Sequence, residues 1–489
     1  MDEPQDQPAI SDRVLIGGTL TLVTLSSDGR LQWSEDGKQR CLIVEREVLG
    51  FATEGSRISI RAVVDSGKGI YCWGSRGTLM RKRFVFEPLS EESKQLWCQK
   101  LQRHIVSLER PKRLFIFVNP FGGKKSASKI FLDDVQPLLE DADIEFTVHE
   151  TKHQLHAKEI AHSLDLSSYD GIVCVSGDGI LVEVINGLLE REDWETAIKM
   201  PLGIIPAGTG NGMIKSLLDS VGYPCMASNA TLAVIRGHKR SLDVATISQE
   251  EIKYFSVLML AWGLVADIDI ESEKYRWMGS ARLDFYGLQR MLFLRKYNGC
   301  ISFIPAPGFE KFGNPCDKKD QVIYKLNICD PSQGDPFKCQ RRGYMGPHNH
   351  LENMEWRTIS GPFISIWLHN VPWGSEDSMA APDAKFSDGY LDLIIIRDCP
   401  KFALLSLMME LSSGNHVRSP HVMYLKVKAF ALEPGTRTDD PTKGGIIDSD
   451  GEVLARGKGT YKFEQNALMA YDKLHIEVDQ GLATLFSPI

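Results

Sequence analysis

The 489-residue chain predicts an α/β nucleotide-binding domain followed by a larger β-rich domain, with a small mainly-β module in front. Three observations carry that expectation. Residues 112–245 alternate apolar strand runs with helical stretches, and from residue 255 onward strand-like runs dominate. Three strand-then-glycine turns also fall close together in the first of these regions.

The front module comes first. Residues 13–88 alternate short β-type runs with turns such as Ser27-Asp28-Gly29 and Glu35-Asp36-Gly37. A helix is expected from Ser90, with Glu91 and Glu92 in its first turn and Leu96, Trp97, Leu101 and Ile105 on one face. Strands closed by one Trp-bearing helix over residues 13–110 resemble a pleckstrin-homology-like module. Its basic run Arg81-Lys82-Arg83 would then meet anionic lipid headgroups, although a solvated strand face explains the same run. Pro111 marks the linker.

The α/β domain is expected over residues 111–245. Its strand 114–118 runs into Asn119-Pro120-Phe121-Gly122-Gly123-Lys124. A second, 171–175, closes on Ser176-Gly177-Asp178-Gly179 and opens a helix near Ile180, and 201–206 leads into Gly208-Thr209-Gly210-Asn211-Gly212. Small residues at such turns let backbone N–H groups and a helix N-terminus approach phosphate. Gly122, Gly123 and Lys124 would wrap phosphates, Gly208, Thr209, Gly210 and Asn211 would cradle the rest, and Asn119 would hydrogen-bond nearby. Asp178 is left pointing into the crevice as a general base for an acceptor hydroxyl, or as a holder of Mg²⁺; the sequence does not separate the two. Alone, Ser176-Gly177-Asp178-Gly179 reads equally as a plain turn with a capping Asp. The series of three is what points to a nucleotide. None is a Walker A loop, and the GxGxxG, HRD and DFG signatures are absent.

Residues 246–489 read as the β-rich domain, with strands at 321–326, 363–367, 391–396 and 424–432 and one helical interruption at about 280–295. An insertion near 311–357 is rich in Asp, Pro, Gly, Asn and Lys. Asp267 and Asp269 alternate as on a strand, so both would face one side.

Bulk properties narrow the class. A net charge of −8 argues against general nucleic-acid binding. The ten cysteines form no CxxC pair, which suits reduced intracellular thiols. The acidic start Met1-Asp2-Glu3 is unlike a secretory or transit peptide, and the longest apolar run, 255–266, is too short to span a bilayer. The expectation is a cytoplasmic protein that meets membranes peripherally; its oligomeric state stays open.

The set NPFGGK, SGDG and PAGTGNG resembles the catalytic region of the diacylglycerol-kinase superfamily. Residues 256–263 (SVLMLAWG), 266–276 (ADIDIESEKYR) and 448–452 (DSDGE) are similar to the sphingosine kinases, which phosphorylate long-chain sphingoid bases. The likeness covers roughly residues 111–489. It implies ATP and Mg²⁺, a C-terminal antiparallel β-sandwich that binds lipid, and a base role for Asp178. It adds Thr151, Ser176, Gly177, Gly179 and Glu183 near the nucleotide, Arg276 and Arg282 against its phosphates, and Gly451 and Glu452 closing over it. Asp269 is implied as the acid that pairs with the ammonium of the base, with Asp267 and Glu273 nearby. Leu283, Phe285, Leu288, Met291 and Leu292 would line an acyl tunnel. Two departures stand out: Met259 replaces a usual Ser near the headgroup, and Phe121 replaces a frequent Arg. Ceramide or diacylglycerol phosphorylation, or a silent lipid-binding scaffold, are the alternative readings.

Overall fold

The structure is a computed structural model that describes residues 8–35, 37–65, 79–123, 125–279, 281–316, 343–347, 354–460 and 467–488. Lys124 and the run 321–326 lie outside the described residues, as does the side chain of Arg276.

Among the described residues, seven antiparallel strands between Pro8 and Pro88 make the first sheet, and the helix Glu91–Ser107 closes it. Ser90 caps that helix by accepting the N–H of Ser93 at 3.1 Å. Its buried face, Trp97 and Leu101, packs on Val23, Leu31, Trp33 and Ile60. Arg81 is not free for a headgroup: its Nε donates to Asp141 of the neighbouring α/β layer at 2.6 Å. Arg110 likewise donates to the carbonyls of Val44, Glu45, Val48 and Leu49, anchoring the linker.

The second sheet holds sixteen strands among the described residues. Four are parallel, in the order Leu202–Pro206, Gly171–Ser176, Arg113–Val118, Glu145–Glu150. In chain order this is fourth, third, first, second, so the winding reverses between Arg113–Val118 and Gly171–Ser176. Ligands of open α/β sheets bind at such a reversal, outside the carboxyl ends of the strands. The near-continuous apolar runs follow from helices covering both faces. The strand Leu474–Phe486 meets Leu202–Pro206 at its end and carries the sheet into the antiparallel strands Met423–Arg437, Leu391–Ile396, Ser365–His369, Met259–Gly263, Ile446–Ser449 and Glu452–Arg456.

Two local expectations are corrected. The helix after the second glycine turn spans Asp178–Leu189, starting two residues before Ile180, so Asp178 lies in its first turn. Residues 264–271 form the helix Leu264–Glu271, not a strand. Apolar residues at 264, 265, 266, 268 and 270 suit a helix buried on several sides as well as they suit alternation, and Gly263, at φ +89°, turns the chain out of the preceding strand.

Candidate functional site

The carboxyl ends of the parallel strands bring the glycine turns together. Asn119 N–H donates to Val175 O, Ala207 N–H to Ser176 O, and Thr151 N–H to Val118 O. Backbone touches backbone here. A Cβ on Gly208 would sit 2.2 Å from the Cα of Gly177, and one on Gly123, at φ +51°, would sit 2.8 Å from the Gly208 carbonyl carbon. Glycine is required at these positions because no side chain fits. Asn119 accepts the N–H of Phe121 at 3.0 Å and so braces the first turn through Pro120. Gly179 faces open space.

Asp178 lies at the centre, 8 % exposed. Its Oδ2 accepts the N–H of Gly212 at 2.8 Å and its Oδ1 that of Met213 at 3.0 Å, the first amides of the helix Gly212–Asp219. Thus the carboxylate that sequence placed in an open crevice is held on both oxygens, and each oxygen keeps a second lone pair. Burial pushes this carboxyl up, against the pull of the Met213 and Gly212 amides, and the charge of Glu376 adds to the rise.

Asn211, left-handed at φ +57°, ties the third turn to itself: Oδ1 accepts Gly208 N–H at 3.0 Å and Nδ2 donates to Gly208 O at 3.2 Å. Its Nδ2 also donates to Glu376 Oε1 at 2.6 Å. On the far side, Ser176 Oγ donates to Gly177 O, and Glu183 accepts the N–H groups of Leu155 and Ala157 at the start of the helix His156–Ser163. Glu452, beside Gly451 in its φ +82° turn, accepts Gln154 Nε2 at 2.7 Å, which brings the C-terminal hairpin over this edge. Burial and the Glu183 charge push the Glu452 carboxyl up to about 7.

The lipid-side acids separate. Asp267 and Asp269 lie on different faces of their helix. Asp267 is buried and accepts Tyr297 Oη at 2.6 Å and Arg295 Nη1 at 3.3 Å, and Glu271 joins the same network through Arg295 and Tyr286. Those bonds commit Asp267 to the core. Asp269 is partly buried and faces Asp448, with Arg282 and Glu273 as its charged neighbours. Arg282 is ion-paired with Glu273 rather than lying free for a phosphate. Met259 accepts Trp367 Nε1 on its sulfur at 2.9 Å, so the thioether orients an indole instead of offering a hydroxyl. Of the helix Ala281–Leu292, Met291 is buried, but Phe285, Leu288 and Leu292 are exposed rather than lining an enclosed tunnel.

Comparison with known proteins bears on this geometry directly. The diacylglycerol kinase catalytic domain family matches residues 113–247, and the YegS C-terminal NAD kinase beta sandwich-like domain matches residues 360–470. Sphingosine kinase 1 of Arabidopsis thaliana is 62 % identical over 100 % of this chain and 98 % of its own. Sphingosine kinase 1 of Homo sapiens is 33 % identical over 71 % and 87 %, and the human ceramide kinase 32 % over 75 % and 69 %. The chain belongs to the sphingosine kinase family. Three residues received no role in the sequence reading: Glu376, Asp448, which stood only within the run 448–452, and Ser216, whose Oγ accepts Trp373 N–H at 3.0 Å. Glu376 and Trp373 belong to a loop joined to the glycine turns only through space, and nothing in the local pattern signals it. Asp448 carried a signal, an acid directly after the apolar pair Ile446-Ile447.

Proposed function

We propose that the protein transfers the γ-phosphate of ATP to the primary hydroxyl of a sphingoid base, giving the 1-phosphate. The observation that carries this reading is the buried Asp178 carboxylate at the point where three glycine turns meet, in a chain 62 % identical end to end to a sphingosine kinase. The turns around Gly123, Gly177 and Gly208 offer backbone N–H groups to the phosphates. A lone pair of Asp178 accepts the hydroxyl proton as the oxygen bonds to the γ-phosphorus and the bond to the β-phosphate oxygen breaks, releasing ADP. Its raised affinity for protons suits it to that task. Glu376 has one carboxylate oxygen on Asn211 and its other without a hydrogen bond among the described residues, and it lies close enough to raise Asp178, which fits a Mg²⁺–nucleotide. Glu376 would hold the ion, and bound magnesium neutralises charge on the phosphate oxygens. Asp269 would pair with the ammonium of the base.

The membrane is the proposed source of the lipid. No helix among the described residues is long and apolar enough to cross a membrane. An exposed apolar patch instead spans two adjoining helices: Phe285, Leu288 and Leu292 on Ala281–Leu292, and Phe402 and Met409 on Lys401–Glu410, which Lys401 joins by donating to Leu292 O. A patch of that kind suits peripheral contact with lipid.

The test is transfer of labelled γ-phosphate from ATP–Mg²⁺ to sphingosine, dihydrosphingosine, phytosphingosine, ceramide and diacylglycerol, beside an Asp178→Asn variant. Label entering only the free bases, and only with Asp178 intact, is expected. Label in ceramide or diacylglycerol keeps the kinase and overturns the headgroup reading, and label in none overturns catalysis.

A further inference from the structure

Asp448 lies in the strand Ile446–Ser449, directly across from Ala261. It is fully buried, and among the described residues neither oxygen takes a hydrogen bond from an N–H or O–H donor outside the acid it faces. Leaving a buried carboxyl in that state disfavours folding. Two residues on, Asp450 shows what a structural acid does here: its carboxylate accepts the N–H groups of Val257, Leu258 and Met259. Among the described residues Asp448 has no such partners. What it faces is Asp269. Burial first, and the Asp269 charge second, push Asp448 far up; burial also pushes Asp269 up, against the pull of the Asp448 hydrogen bond and the Arg282 charge. The two carboxyls thus face each other through a hydrogen bond, with Glu273 near Asp269, and Asp450 and Glu452 near Asp448, as the charged surroundings.

Ala261, across from Asp448, packs in an apolar cluster with Ala266, Ala380 and Ala381, whose short side chains lie beside Ile270, Ile446 and Trp367. His369, on the same sheet face and paired across from Met259, is also fully buried, and among the described residues no side chain hydrogen-bonds its ring nitrogens, which face the Val371 backbone. Unsatisfied polar groups concentrated on one buried face are what a headgroup pocket needs and a plain core does not.

We infer that Asp448 is a second headgroup acid, seating with Asp269 an amphiphile that carries a primary ammonium beside a hydroxyl, Asp269 taking the ammonium and Asp448 the hydroxyl. This rests on the sphingoid-base reading above. An N-acylated lipid loses the charge that this seat recognises.

The experiment is steady-state kinetics on detergent-dispersed sphingosine with Asp448→Asn, and with Asp448→Val as the second variant, varying lipid and ATP separately. A KM for the base raised about 10-fold, as for loss of one hydrogen bond to a charged seat, with the KM for ATP unchanged, is expected from each folded variant. A base KM that does not move overturns the inference. So does a rise in both KM values, which marks general loosening, and so does failure of both variants to fold, which assigns the carboxyl to the fold. Failure of the functional reading is seen separately, as absence of free-base phosphorylation by the unaltered protein.

Discussion

Asn211 donates its Nδ2 to Glu376 Oε1 at 2.6 Å, a bond across 165 residues that ties the third glycine turn to a loop of the β-rich half. The tie is reinforced close by: Glu376 N–H donates to Gly210 O at 2.9 Å, and Gly212 packs so tightly on Trp373 that a Cβ there would lie 2.6 Å from the Trp373 carbonyl oxygen. The junction of the glycine turns is therefore held from both halves of the chain.

Glu376→Ala removes the charged end of that tie while Asn211 keeps its own bonds to Gly208. A hydrogen bond to a charged group is worth about 1.5–3 kcal/mol, so kcat/KM for ATP should fall at least ~10-fold. Glu376→Gln, which still accepts from Asn211, should lose less. Equal losses in the two variants would assign the effect to the carboxylate's hold on magnesium rather than to its bond with Asn211.

Asp178→Asn replaces one of two accepting oxygens by an amide NH₂, which cannot accept the N–H of Gly212 or Met213. Turnover should drop at least ~100-fold, the usual weight of a general base, while ATP still binds. Equilibrium nucleotide binding beside single-turnover phosphoryl transfer checks this. A variant that no longer binds ATP would make Asp178 a brace for the helix Gly212–Asp219 instead.

Glu452 makes a prediction about pH. Burial and Glu183 raise its carboxyl to about 7 in the folded protein, against 4.5 ordinarily. Between those values the folded chain holds a proton that the unfolded chain gives up, so stability falls as pH rises from 4.5 through 7 and is flat above. Glu452→Gln removes that fall and still accepts from Gln154. It should stabilise the protein by about 1–3 kcal/mol more at pH 8 than at pH 5, read from urea melts at the two values. The same increment at both would mean Glu452 titrates like an exposed acid.

The parallel layer was legible because its signals are local. The strand 171–175 is apolar throughout, and Gly177 and Gly208 stand where backbones nearly touch. The helix at 264–271 was not legible, since ADIDI satisfies a period of two as readily as a buried helix. That single misread placed Asp267 beside Asp269, when Tyr297 and Arg295 hold it in the core on another face. Glu376 was invisible for a different reason: its partner is remote in sequence, and an acid in a polar loop reads as solvated.

The apolar patch predicts where the protein meets its lipid. Phe402 is 90 % exposed and Met409 75 %, on the helix Lys401–Glu410 that adjoins Ala281–Leu292 with exposed Leu288. Gly287 sets how closely the helices lie, since a Cβ there would come within 2.7 Å of Met408 Cε. Burying a side chain of this size contributes about 1.5–3 kcal/mol, so the double variant Phe402→Ser, Met409→Ser should partition at least ~10-fold more weakly onto vesicles. Neither residue touches the glycine turns, so turnover of base presented in detergent should be unchanged. Sedimentation with vesicles, run beside the detergent assay, separates the two effects. Unaltered partition would move the lipid contact to another surface, and lost activity in detergent would show that these helices shape the headgroup pocket rather than dock the protein.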